Sequence, residues 1–398
     1  MPLTLNTGRG FARRNTGDPG SVILLVLMTL LLTAFALTKY LEKTTVDLLA
    51  VARDVRAERL RVEAYSALET TLAVLQEFQT VDSGLYSPAE GWGTPLDFAG
   101  YAPPEGLVVE AAIEDESGKI SLPHADFQTL RDLFLLLDLK QSDAERLADA
   151  LLVWMQQGYE PVDSFSARAT DYERAALPHD PPARSLHSFS ELAAIQFVRD
   201  RFYDDQGRPN DLWRRFTNSV SLFDFTLPNL NGARDTTLAA LGGYDAASIK
   251  MIIDYLGGLG SYARQGPAHF RTSQEMAALV GQAAMSSRLG TRVSCLRITV
   301  TVREGSTSFR VSAVVAPSGG AGLPPADAPT ATSRSTTTAA DQNSSGTNTS
   351  GSTAAALPAT PSASTRVPQL LNYPFTLLEI RENDEIVGAA SSFQSPST

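Results

Sequence analysis

Glu114, Asp115 and Glu116 stand just before Gly118 and Lys119. Carboxylates crowded this closely beside one amine could share a proton, hold a divalent cation or face water in a turn. Gly118 is placed for positive φ, so the string reads as a solvated turn between two short strands. More acids, Glu160, Asp163, Asp171, Glu173 and Asp180, lie between Gly158 and Pro182. Calcium takes oxygen ligands from such loops, but no EF-hand spacing is present, so calcium and a plain solvated loop both stand as readings. His124, His179, His187 and His269 show no ligand spacing, and the single cysteine, Cys295, has no thiol partner for a disulfide or zinc cluster. Nucleophile-elbow, Walker A, H-E-x-x-H, C-x-x-C and dinucleotide patterns do not occur. The expectation is therefore no catalytic, cofactor-binding or metal residues, and no enzyme.

The elements that would position these groups are legible. The chain has 398 residues, 43% hydrophobic and 19% charged, enough to bury one or more sizeable cores, and its length suggests about two to three units. Its net charge of -11 disfavours nucleic acid as a partner, because duplex binding leans on Lys and Arg. Val22 to Thr38 carries no charge, and Arg9, Arg13 and Arg14 precede it against one acid, Asp18. Such a segment spans a membrane with its N-terminus cytoplasmic and the bulk exported. No small-x-small cleavage site follows it. Helix-compatible sequence then continues, and Leu48, Val51, Val55, Val62, Tyr65, Leu68, Leu72 and Leu75 recur at helical spacing. One helix running from membrane to folded domain is expected, with a coiled-coil stalk as the plainer alternative.

Leu107 to Ile113 reads as a strand. From His124 onward the pattern is helical, with S/T-x-x-E capping boxes at Ser142, Ser188 and Thr272 and a core stripe of Leu147, Leu151 and Trp154. Two short helices follow around Gly242 and Gly243, the second marked by Ile249, Ile252, Ile253 and Leu256, as in a helix-hairpin-helix unit. Period-two alternation resumes at Leu296, Ile298, Val300 and Val302, turns at Glu304-Gly305-Ser306, and returns through Phe309, Val311, Ala313 and Val315. Pro317 to Pro368 is rich in Ser, Thr, Ala and Pro, and Phe375 to Arg381 reads as a last strand.

A basic leader ending in Gly20, then Ser21-Val22-Ile23-Leu24-Leu25, resembles type IV prepilin and type II secretion pseudopilin leaders. The resemblance implies prepilin peptidase cleavage between Gly20 and Ser21. Ser21 stands where most pilins have an aromatic residue, and Leu25 at mature position five where most have glutamate; lacking that glutamate marks the K-type minor pseudopilin (general secretion pathway protein K) family. Asp115, Glu116, Gly118, Lys119 and Ile120 resemble that family's Glu-x-Gly-Lys-Ile segment. Asn229, Asn231 and Ala233 resemble its Asn-x-Asn-Thr-Ala segment, with Gly232 in place of threonine.

The implied fold class is α+β: a long N-terminal transmembrane and stalk helix leads into a pilin-like antiparallel sheet domain with a large all-helical domain inserted. The implied segments are a leader at 1–20, transmembrane helix at 21–38, stalk at 39–83, first sheet part at 84–123 and helical insertion at 124–290. Its hairpin-like unit falls at about 229–258. A β-hairpin at 291–316, a flexible insertion at 317–368 and a last strand and tail at 369–398 complete the chain. The implied role is a minor pseudopilin at the pseudopilus tip, anchored in the bacterial inner membrane with its bulk periplasmic. Its implied partners are I-type and J-type minor pseudopilins and prepilin peptidase. A competence protein binding DNA through the hairpin and a type IV pilus minor pilin are the alternatives.

Overall fold

The computed structural model describes residues 19–173, 180–281, 286–326 and 374–383. The leader before residue 19, most of the Ser/Thr/Ala/Pro-rich segment and the tail beyond 383 lie outside the described residues. The chain divides into two compact units, Met1–Leu60 and Arg61–Thr398. Helix α1, Pro19–Asp82, begins in the first unit and ends in the second.

In the first unit α1 presents an 18-residue stretch of mean hydropathy 2.3 and is long and apolar enough to cross a membrane. The hydroxyls of Thr29, Thr33 and Thr38 bond the carbonyls of Val26, Leu30 and Ala34, so each is paired within the helix. Leu48, Val51 and Val55 are exposed, and so is Val62 in the second unit. Burial concentrates farther along, at Ala64, Ala67, Leu68, Thr71, Val74 and Leu75, on one helix face. Helical spacing marks which residues share a face, but a face is buried only where the fold covers it. Ser83, at φ 57°, ends the helix.

In the second unit, four strands form one antiparallel sheet in the order β1-β4-β5-β6. These are β1 (Val108–Asp115), β4 (Leu296–Glu304), β5 (Thr307–Pro317) and β6 (Phe375–Glu382). Strands β2 (Ile120–Ser121) and β3 (Val220–Ser221) pair separately, in parallel. Period-two patterning sets the register: Leu296 faces Val315, Ile298 faces Ala313, Val300 faces Val311 and Val302 faces Phe309, all buried. Gly305, at φ 59°, allows the tight turn between β4 and β5. β1 pairs with β4, so the intervening helical region leaves and returns at neighbouring strands. Glu382 at the end of β6 accepts from Tyr65 and Arg61 of α1.

The helical region begins with α3 (Phe127–Leu136) and α4 (Gln141–Met155), after a single turn of helix, α2 (Pro95–Phe98), outside it. It continues through α5 (Ala169–Glu173), α6 (Gln196–Phe202), α7 (Asp211–Ser219), α8 (Asp235–Ala240), α9 (Ala246–Gly257) and α10 (Ser273–Val280). Leu147, Leu151 and Trp154 lie in its core as their spacing requires, beside Phe134, Phe202 and Phe216, whose rings pack at centroid distances of 5.1 to 6.3 Å.

Several sequence expectations are corrected here. The insertion is not all-helical, because β3 falls inside it and pairs with β2. The Ser142 box does not form: α4 starts a residue before Ser142, with Lys140 at its cap and no side-chain cap bond. The Ser188–Glu191 box does form, but opens a 3-10 turn over Phe189–Ala194. Thr272 caps α10, while Glu275 bonds the Arg271 amide instead of closing the box. The flexible insertion does not start at 317. Ala321 donates to the Ser294 carbonyl, and Gly322 and Asp224 exchange two backbone bonds of 2.8 and 3.0 Å.

Candidate functional site

The two segments singled out in sequence, 115–120 and 229–233, meet where the sheet joins the helical region. Asp115 closes β1 and caps the following turn. Its Oδ1 accepts from the Ser117 amide at 2.9 Å and hydroxyl at 2.6 Å, and its Oδ2 from Asn229 Nδ2 at 2.6 Å. Asn229, wholly buried, also donates to the Tyr86 carbonyl at 2.9 Å, and its backbone amide donates to the Ser117 carbonyl at 2.8 Å. Asn231 exchanges bonds with the Phe270 backbone and donates to the Thr291 carbonyl. Each amide group thus bridges loops far apart in sequence, as buried polar groups must.

The backbones touch at two glycines. A Cβ on Gly118 would lie 2.1 Å from the Gly232 carbonyl oxygen, and a Cβ on Gly232 would lie 2.1 Å from Asp115 Oδ2. Glycine at 232, where the resemblance has threonine, is what this approach demands. Ile120 is buried in β2, and Ala233 packs on the cluster around Leu230.

The charge-rich string is therefore not a solvated turn, and Gly118 is not at positive φ: the close backbone approach, not the φ angle, requires glycine there. Glu116 is buried and accepts from Lys119 Nζ at 2.9 Å and Arg297 Nε at 3.3 Å. Glu114 takes Lys119 and Arg234, each at 3.1 Å. Burial pushes the Glu116 carboxyl up, but Lys119 and Arg297 outweigh it and hold it below its usual value. Asp115 lacks such a counter-ion: burial pushes it up to about 6, against the bonds from Ser117 and Asn229. Burial also raises the Cys295 thiol well above its ordinary value, which disfavours the reactive thiolate.

These shifts have opposite signs in stability. Because Asp115 binds its proton more tightly folded than unfolded, its contribution should improve as pH falls from about 6 toward 4, by on the order of 2 kcal/mol. Glu116, depressed, contributes above its unfolded value and loses that contribution as pH falls through its folded one. Urea unfolding of the detergent-solubilised chain should show Asp115→Asn removing the gain between pH 6 and 4. An unchanged profile would contradict this account of Asp115.

Among the described residues, no three His, Cys, Asp or Glu side chains converge to hold a metal. In the acidic loop, Asp163 accepts from the Phe165 amide and Asp171 from the Arg168 amide, each closing its own turn. Residues 174–179 of that loop, including His179, lie outside the described residues. The helix-hairpin-helix unit is present as α8 and α9, with Gly243 at φ 67° between them. Asp245 caps α9 by accepting from the Ser248 amide, which puts a carboxylate where a phosphate would dock. Of the expected α9 stripe, Ile252 is buried, Ile249 and Leu256 pack partly on the core, and Ile253 is exposed.

Gly20 and Ser21 fall in the first turns of α1, and Leu25 is 64% exposed on its apolar part. Sequence reasoning missed Arg297 as a partner of Glu116 and Tyr86 as a partner of Asn229. Neither stands near its partner in the chain, and strand alternation alone did not single out Arg297.

Residues 111–205 match the family model described as type II secretion system (T2SS), protein K. This segment, about a quarter of the chain, is thus similar to the protein K family. The matched residues take in most of β1, the buried Asp115–Ile120 turn and the helical region through α6; Asn229 to Ala233 lie beyond them. The chain is also similar to a structure described as the crystal structure of the GspK-GspI-GspJ complex from enterotoxigenic Escherichia coli Type 2 Secretion System. That likeness is at 13% identity and a TM-score of 0.46, over 67% of this chain and 93% of that one. No curated protein matches the sequence.

Proposed function

We propose that this chain is a protein K family member and acts as a minor pseudopilin, an assembly part of a type II secretion system and not an enzyme. The observation that carries this reading is the family match over β1 and the helical region that interrupts the sheet. The apolar start of α1 serves as a single-pass inner-membrane anchor, N-terminus cytoplasmic and bulk periplasmic, and then as the element that packs into a pseudopilus. Its partners are I-type and J-type minor pseudopilins, prepilin peptidase and the inner membrane. Assembly through side-chain packing requires no cofactor. The carboxylates that invited chemistry at Asp115 and Glu116 are spent on hydrogen bonds and ion pairs that join sheet to insertion. The DNA-binding alternative loses support because Asp245 occupies the hairpin helix N-terminus and the chain is acidic.

Processing tests the membrane part of this reading. Co-expressed with prepilin peptidase, the mature chain should begin at Ser21 by mass spectrometry, and Gly20→Val should keep the leader attached. An intact Met1 in the native protein, or a terminus after Thr38, would refute the assignment.

A further inference from the structure

The loop after α4 presents an aromatic residue to solvent on a rigid base. Asp149 of α4 is wholly buried and holds this loop through three hydrogen bonds. It accepts from the Tyr159 hydroxyl at 2.8 Å, the Val162 amide at 3.0 Å and the Asp163 amide at 2.9 Å. Gly158, at φ 70°, lets the chain leave the helix, and Pro161 stiffens the approach. Asp163 then accepts from the Phe165 amide at 3.1 Å, and the Ser166 amide donates to the Asp163 carbonyl at 3.1 Å. On the far side Ser166 is buried and Ala167 packs against the helical core. Between these anchors Phe165 is 82% exposed and Val162 is 59% exposed.

Single apolar residues at a surface are ordinary. Here, however, the cost of ordering the loop is already met in the free protein, which is what a preorganised binding knob requires. A phenylalanine side chain can bury on the order of 150 Å² or more when seated in a pocket. The charges around the knob select what seats it. Along the loop itself Glu160, Asp163 and Asp171 stand against Arg168 alone between Gly158 and Tyr172, so the segment that carries the knob is acidic. An anionic membrane surface is repelled by that segment. A second copy of a chain with net charge -11 is a poor electrostatic match.

We propose that Val162 and Phe165 form a docking knob for an apolar pocket rimmed by Lys or Arg on a different protein. This site is separate from the helix α1 packing assigned above and does not depend on it.

The test places the photo-crosslinker p-benzoyl-phenylalanine at position 165 of the full-length chain, expressed at native level in its own cells. Ultraviolet exposure should give one discrete adduct with another protein, absent when the crosslinker sits at exposed Thr170. Adding Glu160→Lys should lower that adduct about fivefold, because rim charges steer encounter. Phe165→Ser should leave the cellular amount of the protein unchanged, which separates a lost contact from a lost fold. An adduct only with lipid, one at twice the chain's own mass, one indifferent to Glu160→Lys, or none above the Thr170 control would each overturn the proposal.

Discussion

Replacing Gly118 by alanine is expected to lower the stability of the folded region by about 4 kcal/mol, the size reached when a backbone approach is blocked and a buried polar network opens. The added methyl would sit 2.1 Å from a backbone oxygen, that of Gly232, which no side-chain rotation can relieve. Separating the two strands of chain would also strain the Asn229–Asp115 bond and the Asn229–Ser117 backbone bond. Gly232→Ala should act similarly through Asp115. Gly322→Ala is the control, since a Cβ there meets no atom within 4 Å, and it should cost under about 0.5 kcal/mol. Urea unfolding of the detergent-solubilised chain reads all three. A loss under about 1 kcal/mol for Gly118→Ala would contradict the geometry of the junction.

Glu116→Ala is the second change with a large expected effect. It would leave Lys119 and Arg297, both largely buried, without the carboxylate they share. Breaking a buried ion group by removing one partner costs about 3 to 5 kcal/mol, because the remaining charges stay desolvated. Lys119 retains Glu114 and Arg297 retains Glu379 at 3.8 Å, so the lower end of that range is expected. Pairing Glu116→Ala with Arg297→Met in a double-mutant cycle should recover part of the loss, whereas additive losses would show that the two groups do not interact.

How far the fold was legible depended on whether a signal was local. The period-two runs at 296–302 and 309–315 identified β4 and β5, since each strand's own side chains reveal its buried face. The Leu147, Leu151 and Trp154 stripe likewise located the core of α4. Long-range facts were hidden. A Glu-Asp-Glu string beside lysine has the composition of a solvated turn, and only the return of the chain at Arg297 buries it. Ser142 satisfied a capping pattern, but α4 begins a residue before it, so the pattern described a helix interior. The junction was partly legible through resemblance, which marked both segments without revealing that they meet. Gly232 stood as a departure from the family pattern, and its reason required seeing Gly118 opposite.

In pilin-like filaments a glutamate at mature position five pairs the N-terminal amine of a neighbouring subunit, and a buried unpaired charge costs several kcal/mol. With the proposed cleavage after Gly20, Leu25 cannot make that pair, and the proposed place of this subunit is therefore the pseudopilus tip, where no earlier subunit presents an amine. The direct measurement is native mass spectrometry and electron microscopy of the full chain co-purified with the I-type and J-type minor pseudopilins encoded with it. The predicted result is one stable complex containing one copy of each, with this chain outermost. Absence of such a complex, or labelled protein distributed along the length of overexpressed fibres, would contradict the tip assignment.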